Sequence, residues 1–181
     1  MDTSPKKGNK ISDDELMEEF RMLDNDIVLS ILSIGDSRMS HLKLQKMVFL
    51  LERVGKLISK ATAYKFGAFD EYLMEKLQSK GQDLISCQGA KYLLTEKGKE
   101  IYLITRDKVR EKKPVVVEFS DVIRKMNENE LLAVTYFLFP EYASNSEIYR
   151  SVSSDIEIIK KKDSKFVVSD KNGEVGLKLK E

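Results

Sequence analysis

The hydrophobic spacing of this chain changes period twice between residues 27 and 110, and that order of periods restricts the fold more than any single residue does. From Ile27 to Ser79 apolar side chains recur every three or four positions. At Leu84-Ile85-Ser86-Cys87 and Tyr92-Leu93-Leu94 they fall into two short runs joined by Gln88-Gly89-Ala90-Lys91, and from Thr95 the helical spacing returns. Helices repeat near 3.6 residues and strands near 2, so this order predicts helices, a glycine-containing hairpin, then a helix.

Ser12-Asp13-Asp14-Glu15 combines an N-cap with first-turn acids and opens a helix striped by Leu16, Phe20 and Leu23. A second helix runs through Ile27 to Ile34 and stops at Gly35. Ser40 caps a third, from His41 to about Leu57, with Leu44, Met47, Val48, Leu51 and Val54 at core spacing. Its centre is apolar on more than one side, which suits the middle of a core or a dimer seam. A fourth covers Phe69 to Ser79 with Phe69, Tyr72, Leu73 and Leu77 on one face, and a fifth runs from the Thr95 cap to the charged residues before Pro114. Beyond Pro114 we expect a short helix from Ser120 or Asp121 to Met126, then an apolar helix from Leu131 to Phe139 capped at Asn127 and stopped by Pro140. One or two turns follow from Ser146. A hairpin of Phe166 to Val168 with Val175, Leu177 and Leu179 turns at Asn172-Gly173, with Ile156, Ile158 and Ile159 as a candidate third strand.

The expected fold class is therefore α+β, mostly helical: residues 1–12 a flexible tail, 13–113 a winged helix-turn-helix domain, and 114–181 a small unit of helix and β-hairpin. Three runs carry a resemblance. Lys43-Leu44-Gln45-Lys46-Met47-Val48-Phe49, Phe66-Gly67-Ala68-Phe69-Asp70-Glu71-Tyr72-Leu73 and Tyr92-Leu93-Leu94-Thr95-Glu96-Lys97-Gly98 resemble the Panacea-type antitoxin domain and related microbial winged-helix proteins. Ala68 and Phe69 stand where that pattern has Pro and Tyr, and the likeness spans roughly residues 28–105. It implies a cytoplasmic module that binds DNA or a protein partner such as a toxin, and it brings no catalytic residues with it.

One cysteine and one histidine in 181 residues exclude an intramolecular disulfide and a Cys/His zinc cluster within one chain. No EF-hand loop, Gly-x-Ser-x-Gly elbow or Gly-Lys-Ser/Thr phosphate loop is present. The expectation is a protein that is not an enzyme and uses no cofactor or metal. With no apolar leader and no 18-residue apolar run, a cytoplasmic location without a membrane partner is also expected. The formal charge of +1 hides an uneven distribution, because residues 41–113 carry +7 between two segments of −4, with +2 at the end.

Lys43, Lys46, Arg53, Lys56 and Lys60 are spaced to share one side of the third helix and its following loop, where they could track the phosphates of double-stranded DNA or form a solvated face. Gln88 and Lys91 at the hairpin could join them, and Gln78 is the one good base reader on the fourth helix. Asp70, Glu71, Met74 and Glu75 on that helix suit a basic protein partner instead. His41 is expected on the surface of a first turn, Cys87 as a small buried hydrophobe, and the aromatic group Tyr136, Phe137, Phe139 and Tyr142 in a core or a dimer interface. The leading reading is a DNA-binding or transcription-regulatory module contacting DNA backbone more than bases; the alternative is a protein-interaction module of antitoxin type, and a third is a homodimer formed through the helix around Phe49.

Overall fold

The structure is a computed structural model that describes residues 11–65, 67–143, 145–150 and 152, together with backbone pairing for 166–171 and 174–179. It is α+β, with seven α-helices and three small antiparallel sheets among the described residues.

Helix α1 (Asp13–Met22) starts in a complete capping box, with the Ser12 side chain accepting from the Glu15 amide and Glu15 reaching back to the Ser12 amide. Helix α2 (Asn25–Ile34) buries every residue from Leu29 to Ile34 and ends at Gly35, whose φ of +52° is the left-handed conformation that glycine supplies cheaply. Strand β1 (Met39–Ser40) leads directly into α3 (His41–Val54), and Ser40 caps it by accepting from the Lys43 amide. Strands β2 (Thr62–Tyr64) and β3 (Gly67–Phe69) form a hairpin ahead of α4 (Glu71–Ser79). Then β4 (Ile85–Gln88) and β5 (Lys91–Leu94) pair in register around Gly89-Ala90, and α5 (Glu96–Lys112) follows from the Thr95 cap. The sheet order is β1-β5-β4, Met39 opposing Tyr92 and Ser40 opposing Lys91.

The chain after Pro114 departs from expectation. Helix α6 begins at Pro114 itself and runs to Ile123, because a proline at the first helical position gives up an amide that would have no partner there. The Val115-Val116-Val117 run concealed this start, since β-branched residues read as poor helix formers. Helix α7 (Glu128–Leu138) opens with a second capping box, at Asn127, and a 3-10 turn covers Pro140–Ala143.

Pro114 is also not a boundary between cores. Val116, Val117, Phe119, Ile123, Leu131, Leu138 and Phe139 belong to the same buried cluster as the apolar residues of α2 and α3. Across the junction, Arg106 of α5 holds Asp121 of α6 in a two-pronged ion pair at 2.6 and 2.5 Å, and these hydrogen bonds keep the Asp121 carboxyl below its ordinary range despite desolvation. The centre of α3 is core rather than a dimer seam. Phe49 packs on Phe139 and Tyr142 at 5.2 and 4.7 Å between ring centres, and Leu50 and Leu51 are fully buried. Tyr136 and Phe139 are buried in the same way, so the aromatic group lies within the chain.

Strands β6 (Phe166–Lys171) and β7 (Glu174–Leu179) pair antiparallel as the alternation of apolar residues predicts. Of the expected tail at 1–12, Ile11 packs against the core and Ser12 is the cap of α1, while residues 1–10, the turn at Asn172-Gly173 and the strand at Ile156–Ile159 lie outside the described residues. Among the described residues no helix is long and apolar enough to cross a membrane.

Candidate functional site: the outer side of helix α4 and the β4-β5 hairpin

Helix α3 supplies the stripe of cations anticipated from spacing, yet most of it is consumed inside the chain. Lys46 is 1% exposed and donates to the carbonyl of Ala68 in β3. Burial pushes its ammonium down to about 7. Its neighbour Gln45, 2% exposed, accepts from the Asp70 amide at 3.0 Å and donates to the Asp70 carbonyl at 2.9 Å. Together they bind the backbone of residues 68–70, which would otherwise bury unsatisfied polar groups. Lys43 donates to the Arg124 and Met126 carbonyls at 2.8 and 2.6 Å, closing the end of α6. Arg53 lies over the Phe139 ring at 4.9 Å and 3.6 Å from Glu141. Lys56 and Lys60 are exposed, but they border a cleft of about 580 Å³ shared with Asp24, Asp26, Glu52 and Lys76, where acids balance the bases. The five cations do not form one accessible phosphate track.

Helix α4 shows the opposite arrangement. Leu73 and Leu77 face inward, and Asp70 is a buried N-cap accepting from the Tyr72 amide, so it serves the fold rather than a partner. Glu71, Tyr72, Glu75 and Gln78 are exposed, Tyr72 by 53%. The placement of Tyr72 outside the apolar face follows from the Leu73/Leu77 pair, which sits about 100° away around the helix. The two lysines of α4 and its C-cap are directed back to α2: Lys76 pairs with Asp26, and Lys80 with Asp24 at 3.0 Å. The hydrogen bond from Asp26 holds the Lys76 ammonium above its ordinary value. What α4 presents outward is therefore acidic and aromatic. Met74 is half-buried, its sulfur accepting from the Tyr92 hydroxyl at 3.0 Å.

Beside α4 a cleft of about 270 Å³ separates the helix from the hairpin, lined by Leu77, Ile85 and Tyr92 with Gln78, Gln82 and Cys87 around them. Cys87 is exposed, contrary to expectation, because the β4 alternation puts Ile85 inward and Cys87 outward, with its thiol on the Gly89 carbonyl at 3.3 Å. Gln88 and Lys91 flank the turn and are exposed. Gly89 has a φ of +64° and open space where a Cβ would stand.

An aromatic row that sequence reasoning missed adjoins this face. The His41 ring stacks on Phe69 at 6.0 Å with 9° between planes, Tyr64 leans on Phe69 at 5.4 Å, and His41 meets the edge of Tyr92 at 6.2 Å. His41 is half-buried, and burial, with the Lys46 charge second, lowers its pKa. Only the β2-β3 hairpin could have revealed this row, and its residues show little alternation. Among the described residues no group of three or more His, Cys, Asp or Glu is placed to hold a metal ion.

No protein family, characterised protein or solved structure was found to match this chain.

Proposed function

We propose that the chain is a winged-helix module that uses helix α4 and the β4-β5 wing to bind a basic, amphipathic segment of a protein partner. The winged-helix reading is supported by the order α2-β1-α3-α4-β4-β5, with the β2-β3 hairpin inserted between α3 and α4, and by a sheet in which the short strand ahead of α3 pairs with the second wing strand. One observation carries the partner's chemistry: Glu71 and Glu75 point outward beside an apolar cleft, while Lys76 and Lys80 are drawn away toward α2. A partner with an apolar anchor fills the cleft, and flanking Lys or Arg residues meet the carboxylates. An antitoxin-type module paired with a toxin fits this description, and so does any protein with such a segment.

Binding to double-stranded DNA is the second reading, and it rests on the exposed Gln78, Gln88 and Lys91. Phosphates approaching α4 would meet Glu71 and Glu75, and Lys46 cannot reach them from the core. Co-expression with the products of the adjacent genes, followed by reconstitution of any complex from purified proteins, tests the leading reading. A stoichiometric complex lost on Glu71→Lys with Glu75→Lys supports it. A complex indifferent to both substitutions, or the absence of any complex together with tight DNA binding, overturns it.

A further inference from the structure

A second cleft, of about 350 Å³, opens where the end of α1 and the start of α2 meet the junction of α5 and α6. It shares no residue with the α4 face. Phe20, Leu29, Leu57, Val109 and Val116 form its apolar wall. The cleft exists because Lys113, at φ −143° and ψ 68°, breaks the helical path between α5 and α6, so that α6 turns away and leaves a notch that α1 does not fill. Around the opening stand Arg21, Lys108, Lys112 and Lys113, and no carboxylate contributes to the lining.

Those cations are not equally engaged. Arg21 makes an exposed pair with Glu18 at 3.6 Å, and Lys108 reaches Glu111 at 3.0 Å along the same helix. Such pairs one turn apart on a surface hold their partners weakly and yield to a better anion. Lys113 donates to the Gly55 carbonyl, which fixes its ammonium at the rim. Lys112 is exposed and has no ion pair among the described residues. An apolar pocket within the volume range of small-molecule sites, roughly 300–1,000 Å³, lined by four cations and no carboxylate, selects a ligand that is apolar at one end and anionic at the other.

We propose that this cleft binds a small amphiphilic carboxylate, with its hydrocarbon part against Leu29, Val109 and Val116 and its carboxylate held by Lys112 and its neighbours.

The test is calorimetric titration of the full chain with decanoate below its micelle concentration, beside decanol and decylamine of the same length. The proposal requires saturable one-to-one binding of decanoate, at least tenfold weaker binding of decanol, and no detectable binding of decylamine. Lys112→Glu, an exposed substitution that leaves the core untouched, is expected to weaken decanoate at least tenfold, and methyl chemical shifts of Leu29, Val109 and Val116 should move on titration. Equal affinity for decanoate and decanol, indifference to Lys112→Glu, or shifts confined to other methyl groups overturns it. Absence of decanoate binding with saturable binding of an acidic amphipathic peptide at the same methyl groups also overturns it, in favour of a protein ligand.

Discussion

Helices α3 and α4 carry charge in opposite ways. The first has the more basic sequence, yet its polar side chains are spent inside the protein: Gln45 and Lys46 on the backbone of residues 68–70, Lys43 on the end of α6, and Glu52 buried at 4% exposure. The second has fewer charges and leaves its acids outside. Charge counted along a sequence is therefore no measure of charge offered to a partner. A long basic helix in the middle of a fold can be a fastening element, while a short acidic one at its edge is the accessible surface.

The contrast can be broken most forcefully at Gln45. Gln45→Leu strands the buried amide and carbonyl of Asp70, and at about 1–3 kcal/mol for each unsatisfied group we expect a loss of roughly 2–6 kcal/mol in urea denaturation. A loss below about 0.5 kcal/mol would show that these bonds do not fasten α3 to the following segment.

The buried charges of α3 set the next effects, and they act in different pH windows. Between about 7 and 10.5 the unfolded chain keeps the Lys46 proton that the folded chain has lost, so stability rises with pH across that interval. Lys46→Met is expected to flatten the rise, as read from melting curves at several pH values. Glu52 behaves inversely. Burial raises its carboxyl from 4.5 to about 7 against a hydrogen bond from Ser59, with Asp26 and Asp70 adding to the rise. Between those values the folded chain holds a proton that the unfolded chain has released, and stability falls as pH increases. Glu52→Gln should remove that decline, and an unchanged slope would mean that Glu52 is not buried as described.

The smallest expected effect on stability is on α4. Glu75→Lys is exposed and outside the core, so its cost should stay within about 0.5 kcal/mol, while binding of a basic partner should fall sharply. Stability loss exceeding that of Gln45→Leu would reverse the assignment of the two helices.

Local chemistry made much of the fold legible. Ser12, Ser40, Thr95 and Asn127 all cap the helices that their positions announce, Gly35 ends α2, and the hairpin around Gly89 falls where the period changes. The β2-β3 hairpin escaped notice because Thr62-Ala63-Tyr64 and Gly67-Ala68-Phe69 are too short and too weakly alternating to signal strands. The continuity of the core through Pro114 was also hidden, since a proline marks the end of one helix and the start of the next equally well. Of the candidate site, the exposed positions of Glu71 and Glu75 follow from Leu73 and Leu77, which define the inward side. The burial of Lys46 does not follow from its sequence, because helical spacing gives the direction of a side chain and not the element packed against it.

Anisotropy titration of the wild-type chain against a mixed-sequence DNA duplex at low salt tests the central claim most directly. With Lys43 and Lys46 of α3 fastened inside and carboxylates on α4, the chain should show no saturable binding up to tens of micromolar protein, and Glu71→Lys with Glu75→Lys should create weak, salt-sensitive binding. Submicromolar binding by the wild type, abolished by Lys91→Glu, would contradict the account and return the α4 face to nucleic acid.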